Sequence, residues 1–436
     1  MHATLAARSR LSRIQLAEVL RYHAWFLASR PGGRRAVVVD HDLNGLALTG
    51  HDLSHANLTG STFYGSNLRG CRFDSATAFG CDFRYADMQN ASLIRADLRG
   101  CNFAGAMLEG ANLFEADLRE GGQITRDRKG EFHGHGVADP SIGASGGAAF
   151  SGANLTNASL AGVFAVRADF SDATMRGCRL TRARVRGANF ARCDLDGADF
   201  GQADTRDACF RGAVLMGVNF DLANVAGSDM EDTLSDKSHG RLLADQDLSL
   251  DDLLRKHSAF IESGGAAGAL LDLSGYDLRR SKGAWANACL TMARASGAVF
   301  YGLDLTHAAL QAAKCEAADF RNCRLDDADM RGVFLSGAKL NNTSMRNVDF
   351  RPLRTGRGIL IPANLSNAML RHADLRGANL AHAELQHADL SFANLEGANL
   401  ADADCVGARL EGCELSEQQR TMARGGLRID LTRGRD

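Results

Sequence analysis

Ala373-Asp374-Leu375-Arg376-Gly377 runs directly into Ala378-Asn379-Leu380, and this stretch decides the fold. A small residue is followed by Asp or Asn, then by a large apolar residue, then by two polar positions, and the cycle restarts. Outward from here the large apolar centre recurs every fifth residue from Leu365 to Leu415. An earlier run begins at Trp285 or Leu290 and reaches Phe350; its step to Leu365 is three fives, so both keep one phase. Another run extends from Leu155 to Met230, with Ala165 and Thr205 as weak centres. The first contains Leu43, Leu48, Leu53, Leu58, Phe63, Leu68 and Phe73, breaks at Ala78, and resumes from Phe83 to Leu118. Leu118 to Leu155 is not a multiple of five, which predicts a reset of phase.

A period of five fits neither an α-helix, which repeats at 3.6, nor a flat strand, which repeats at 2. A helix would smear the centres around its surface, and a flat strand would send successive centres to opposite faces. Both difficulties vanish if each unit is a short extended side followed by a corner. The centre and the small residue two before it then point inward, and the remaining three positions face out. Asp, Asn, Arg and Gly collect at those three.

This A-(D/N)-L-x-x pattern resembles the pentapeptide-repeat family, over most of the chain. The resemblance implies an all-β solenoid, a right-handed quadrilateral β-helix with four pentapeptides per coil. Residues 20 apart would stack at the roughly 4.8 Å spacing of paired strands. Stability would then accumulate coil by coil.

Composition agrees with a narrow, uniform interior. The 436 residues are 45% hydrophobic but only 6% aromatic, with 47 Gly and 4 Pro. The 50 basic and 52 acidic residues leave a formal charge of −2, so neither a strongly basic nucleic-acid binder nor a highly acidic chain is indicated. Met1 to Leu20 lacks a continuous apolar segment, and nothing approaches the roughly 18 apolar residues of a membrane span, so a soluble, cytoplasmic protein without membrane contact is expected. Seven of the 11 cysteines, Cys71, Cys81, Cys101, Cys178, Cys193, Cys323 and Cys413, occupy the small inward slot. There Cys replaces Ala as a compact hydrophobe. Cys81 and Cys101 are 20 apart and should be neighbours, reduced in a cytoplasmic chain.

Non-repetitive segments divide the chain. Ser12-Arg13-Ile14-Gln15 is a capping box, and Leu16, Val19, Leu20, His23 and Leu27 follow at helical spacing before Pro31-Gly32-Gly33. Leu20 to Phe26 matches Leu254 to Phe260, and Asp42 to Gly45 matches Asp272 to Gly275, so helix plus solenoid occurs twice. The expected domains are 1–36, an N-terminal capping-helix region; 37–234, a first β-helix with a loop insertion at 119–147; 235–268, a linker and second capping helix; 269–415, a second β-helix; and 416–436, a C-terminal cap. Leu415-Ser416-Glu417-Gln418-Gln419 opens that cap with another capping box. The alternative is one continuous rod with the mid-chain helix looped out as a decoration. A second interruption spans Arg351 to Pro362, with Arg351, Arg354 and Arg357. Both insertions are candidates for partner contact.

No catalytic, cofactor-binding or metal-binding residue is assigned, and no cofactor is expected. His133 and His135 lack further ligands at fixed spacing. His23 and His257 occupy matching helical positions and suit a capping contact. His372, His382 and His387 sit two after a centre and suggest a solvated wall. Asp97, Asp117, Asp199, Asp329 and Asp389 precede centres, so the repeat itself explains them without an acid–base pair. The reading is a non-catalytic binding or scaffold protein with an unknown protein partner, not an enzyme. Some members of the family mimic duplex DNA and bind a type II topoisomerase, gyrase. The acidic block at 363–415 resembles them, whereas the neutral overall charge and the basic cluster Arg176, Arg179, Arg182, Arg184, Arg186 and Arg192 depart from them. A polysaccharide-active β-helix enzyme is a third, weaker reading. Family members also dimerise; Met422 and Leu427 offer little apolar surface for that, and a homodimer stays an alternative.

Overall fold

The computed structural model describes residues 9–120, 123–126, 132–135, 147–246, 249–281, 285–413 and 415–422, with side chains left out within 123–126 and 132–135 and at 246, 420 and 422. Its contacts divide the chain into two units, Met1–Lys237 and Ser238–Asp436.

Each unit is a stack of coils. Parallel bridges join residues 20 apart at every fifth position, as in Asn57↔Thr77, Thr62↔Asp82, Asn67↔Asp87 and Arg72↔Ser92, so a turn of chain carries four ladders. The ladder residue is the Asp/Asn position of the repeat. Between coils, the N–H of a centre donates forward and that of a ladder residue donates back: Leu68 to the Asp87 carbonyl at 2.7 Å and Asp87 to the Ser66 carbonyl at 2.9 Å. The result is a repeat β-helix-type fold.

The corner has its own chemistry. At most corners the N–H of the small residue donates to the carbonyl of the preceding centre, as from Cys71 to Leu68 at 3.1 Å and from Ala91 to Met88 at 3.0 Å. The second corner residue is left-handed, for example Gly45 at φ 65°, Asn90 at 57° and His382 at 58°. That combination is the type II turn, which favours Gly there and tolerates Asn, Asp and His.

Centres and small residues are buried through most of both units, but at the end of the first unit Phe220 and Met230 are only half-buried and Val225 is exposed. In the first, one inner column is phenylalanine: Phe63, Phe83, Phe103, Phe150, Phe170, Phe190 and Phe210 stack at 4.6–5.0 Å between ring centres. In the second, Phe300 and Phe320 stack at 4.5 Å, after which the column continues as Leu340, Leu370, Leu390 and Leu410. Leu375, Leu380, Leu385 and Leu390 are all buried.

The phase reset proves to be a corner filled by an insertion. Asn102 bridges Ala149, and Ala148 donates its N–H to the Leu118 carbonyl at 3.0 Å, the bond that closes an ordinary corner such as Leu68–Cys71. Coils therefore resume at Ala148 and Phe150, one unit earlier than the run from Leu155 implied. Within the insertion, Gln123–Arg126 pairs antiparallel with Phe132–His135. Residues 351–362 fill another corner: Leu353–Arg354 pairs antiparallel with Leu360–Ile361, while the ladder crosses from Phe334 to Asn364. The second unit likewise begins before Trp285, with Leu271 and Leu273 buried and Asp272 bridging Arg294.

Both units open in the same way. Helix α1 (Arg13–Leu27) has Ser12 as N-cap with the full Ser12/Gln15 capping box, and its Leu16, Val19 and Leu20 pack on the first core. Helix α2 (Leu250–Glu262) starts at N-cap Ser249 and packs Leu253 and Leu254 on the second. The chain then passes so close to each helix that a Cβ on Gly33 would collide with the Trp25–Phe26 backbone, and one on Gly268 with Lys256 and Phe260. Before each helix a short segment pairs with the first coil: Ser9–Arg10 with His41–Asp42, and Arg241 with Tyr276. At the other end of the second unit, helix α3 (Glu417–Met422) follows a reciprocal capping box between Ser416 and Gln419. The Met422 side chain and Leu427 lie outside the described residues.

Candidate functional site

Potentially reactive side chains are best judged by what each already does. Ladder aspartates act first on the backbone: Oδ1 accepts the N–H of the first corner residue, from Ser54 to Asp52 at 2.9 Å and from Arg331 to Asp329 at 3.2 Å. This is an Asx turn. Where the first corner residue is Arg, its guanidinium returns as a two-pronged fork. Arg99 reaches Asp97 at 2.8 Å through both Nε and Nη2, and the same fork joins Asp117–Arg119, Asp204–Arg206, Asp329–Arg331, Asp349–Arg351 and Asp374–Arg376. Arg376 and Arg346 hold the Asp374 carboxyl down at about 2. Asp199 accepts from the Gly201 N–H at 2.9 Å, and Asp389 pairs with Arg371 at 3.2 Å. The repeat thus fixes all five aspartates singled out above.

All seven inward cysteines are where the spacing put them, but they do more than fill space. Each donates its thiol to the carbonyl of the centre 23 residues earlier, from Cys71 to Leu48 at 2.8 Å through Cys413 to Leu390 at 2.9 Å. Ser61, Ser66 and Thr343 make the same bond, so this slot accepts a small donor as readily as Ala. Cys81 and Cys101 are free thiols. Burial pushes Cys101 and Cys193 well above the usual thiol range and raises Cys178 to about 12.

His23 and His257 are fully buried at equivalent places. The Nδ1 of His23 accepts the N–H of Ala36 at 3.0 Å, and that of His257 accepts the N–H of Leu271 at 3.1 Å, where the chain enters the first coil. Desolvation lowers the pKa of both. His133 and His135 lie on the inserted hairpin, and their side chains fall outside the described residues. His382 and His387 are exposed, as the spacing suggests, but the three histidines do not form one wall. His372, His382 and His387 occupy left-handed corner positions on three different corners, and His372 is half-buried, stacked on Phe392 at 5.1 Å. No group of three metal-ligating side chains converges among the described residues.

The charged surfaces are less simple than the sequence suggests. Within the acidic block, Asp374 and Asp389 are neutralised by Arg346, Arg371, Arg376 and Arg409. In the basic cluster, Arg176 pairs with Asp194 at 2.7 Å, Arg186 with Asp207 at 3.0 Å and Arg192 with Asp172 at 2.7 Å. Some ladders mix both signs, as in Asp272, Arg294, Lys314, Phe334, Asn364, Glu384, Asp404, whereas others hold only acidic and neutral residues, as in Asp42, Thr62, Asp82, Asn102, Ala149, Asp169. No helix among the described residues is long and apolar enough to cross a membrane.

The chain belongs to the pentapeptide-repeat family, whose profile matches residues 42–74, 81–119, 148–190, 193–232, 313–351, 360–391 and 378–417. No curated protein matches it. Similar solved structures include HetL, a pentapeptide-repeat protein involved in heterocyst differentiation regulation in the cyanobacterium Nostoc, at 18% identity over 92% of this chain and 94% of that one, with a TM-score of 0.13. Full-length QnrB1, a plasmid-mediated fluoroquinolone resistance protein, is 17% identical over 52% of this chain and 98% of its own, with a TM-score of 0.21. Rfr23 from the cyanobacterium Cyanothece is 17% identical over 51% and 99%, with a TM-score of 0.14. The family assignment rests on the repeat profile and the ladders, not on these superpositions.

Proposed function

We propose that this protein is a non-catalytic scaffold that presents the walls of two right-handed, four-sided β-helices to another protein. One observation supports this above all: the groups that usually perform catalysis are engaged in building the repeat. Ladder aspartates sit in Asx turns and arginine forks, inward thiols bond to carbonyls, and His23 and His257 hold backbone N–H groups. Outward positions are left for recognition. On this reading 1–36, 235–268 and 416–436 cap the coils of 37–234 and 269–415 and keep unpaired edges from aggregating. Reduced, buried cysteines suit a cytoplasmic location.

The test is an affinity pull-down from the source cell with the full chain, repeated with residues 119–147 deleted. Reproducible partners support the scaffold, and their retention by the deletion variant assigns recognition to the walls. A chain that retains no partner under either condition sinks the reading. Mimicry of duplex DNA toward a type II topoisomerase ranks second, because mimicry requires a continuous acidic stripe, whereas the acidic ladder residues are interrupted by neutral ones, as in Asp42, Thr62, Asp82, Asn102, Ala149 and Asp169, or by bases, as in Asp272, Arg294 and Lys314. Salt-sensitive inhibition of gyrase supercoiling would reverse that ranking.

A further inference from the structure

Among the described residues, nine Asp-x-Arg pairs make a fork across a corner, with Asp at the ladder position and Arg two residues on. At Arg184-Val185-Arg186 the ladder position holds a second arginine instead. Arg186 then pairs with Asp207 in the next coil, and Arg184 is left over the face of Phe164, 4.8 Å from its ring centre. Phe164 is its bridge partner one coil earlier, so the ring is a cushion that holds the guanidinium plane.

Three more exposed arginines surround it. Arg182 occupies the corner just before the Arg184 side, Arg179 the ladder position of the side before that, and Arg167 the corner after the Arg184 side, one coil earlier. None of the four is in an ion pair among the described residues, whereas Arg176, Arg186 and Arg192 nearby all are. The 119–147 insertion leaves from the corner that follows Leu118, on the same edge as Arg167. From this arrangement we infer that Arg167, Arg179, Arg182 and Arg184 form a docking surface for a short, carboxylate-rich protein segment, an inference that rests on the scaffold reading.

Two features select a peptide. Guanidinium forks match carboxylates in paired geometry, and nine corners among the described residues show that geometry in place. The cationic strip is also short. The next ladder residues after Arg179 and Arg184 are Asp199 and Asp204, and the one before Phe164 is Asp117. At strand spacing the strip is about 10 Å tall. Asp117 and Asp204 are already forked by Arg119 and Arg206, but Asp199 has no ion pair among the described residues, so a phosphate backbone running along the coils past Arg179 would meet it directly, whereas two or three acidic side chains fit within the strip.

The full-length chain would be titrated into fluorescein-labelled octaglutamate and, separately, into a labelled oligothymidylate of equal length, with fluorescence anisotropy as the readout. Octaglutamate should bind more tightly than the oligothymidylate. The R179S/R182S/R184S variant should weaken the peptide by about tenfold, as expected for three partly exposed charge pairs, with an unchanged circular dichroism spectrum. A control variant, R99Q/R206Q/R376Q, which removes forked arginines, should bind the peptide as the parent does. Equal weakening in both variants, no weakening in the first, or tighter binding of the oligothymidylate would each overturn the inference. Pull-down partners that survive R179S/R182S/R184S would remove this surface and leave the scaffold standing; the absence of any partner would remove the scaffold itself.

Discussion

The two units begin alike and are filled differently. At each start a serine-capped helix lies on the first coil, a glycine lets the chain pass under it, and a buried histidine accepts the N–H that leads into the ladder. Inside, the first unit stacks seven phenylalanines in one column, whereas the second changes from phenylalanine to leucine after Phe320. A coil interior demands an apolar group of adequate volume and little else. A junction must satisfy one particular backbone donor, and it repeats its side chain.

The comparison can be broken most sharply inside the first unit. Phe103→Ala, in the middle of the phenylalanine column, should destabilise it by about 3–5 kcal/mol in chemical denaturation. Phe103→Leu should cost under about 1.5 kcal/mol; a loss as large as that of the alanine variant would show that ring stacking, not volume, holds the column. Leu375→Ala in the second unit should cost about 2–5 kcal/mol, with the damage confined by hydrogen exchange to neighbouring coils.

At the junctions, His23→Ala and His257→Ala should each cost about 1–3 kcal/mol by stranding the N–H of Ala36 or Leu271. Similar losses in the two units would confirm the shared device, and protection of those two amides against exchange reports it directly. Acid should act there as well. Burial lowers both histidines in the folded chain, so the unfolded chain binds protons first. Stability from this source is complete above about pH 6.5, the ordinary histidine value, and falls as the pH drops through it. His257→Gln should flatten that fall for the second unit only. The smallest effect belongs to the exposed forks: Arg99→Gln should cost no more than about 1 kcal/mol.

Much of the architecture was legible because a period of five leaves few options. The inward cysteines, the capping boxes at Ser12 and Ser416 and the duplicated helix were all readable from spacing. The restart at Ala148 was not. Its ladder position is Ala149, without the usual Asp or Asn, and the insertion before it displaces the count by a non-multiple of five. Ser9–Arg10 and Arg241 were missed because two residues carry no periodicity. Charge pairing was the least visible. Arg186 finds Asp207 across a coil, 21 residues away, which composition cannot reveal. The basic cluster therefore looked uniform until the structure separated arginines with carboxylate partners from those without.

The corner that carries residues 119–147 has a consequence for engineering. A single hydrogen bond, from Ala148 to Leu118, restores the turn, and the phenylalanine column passes from Phe103 to Phe150 at 4.6 Å. Any foreign segment whose ends converge to that one bond could be grafted at such a site, since the entropy of closing a loop grows only with the logarithm of its length. The stack is in effect a rack with sockets at each bend, and its cargo can be exchanged without rebuilding the frame.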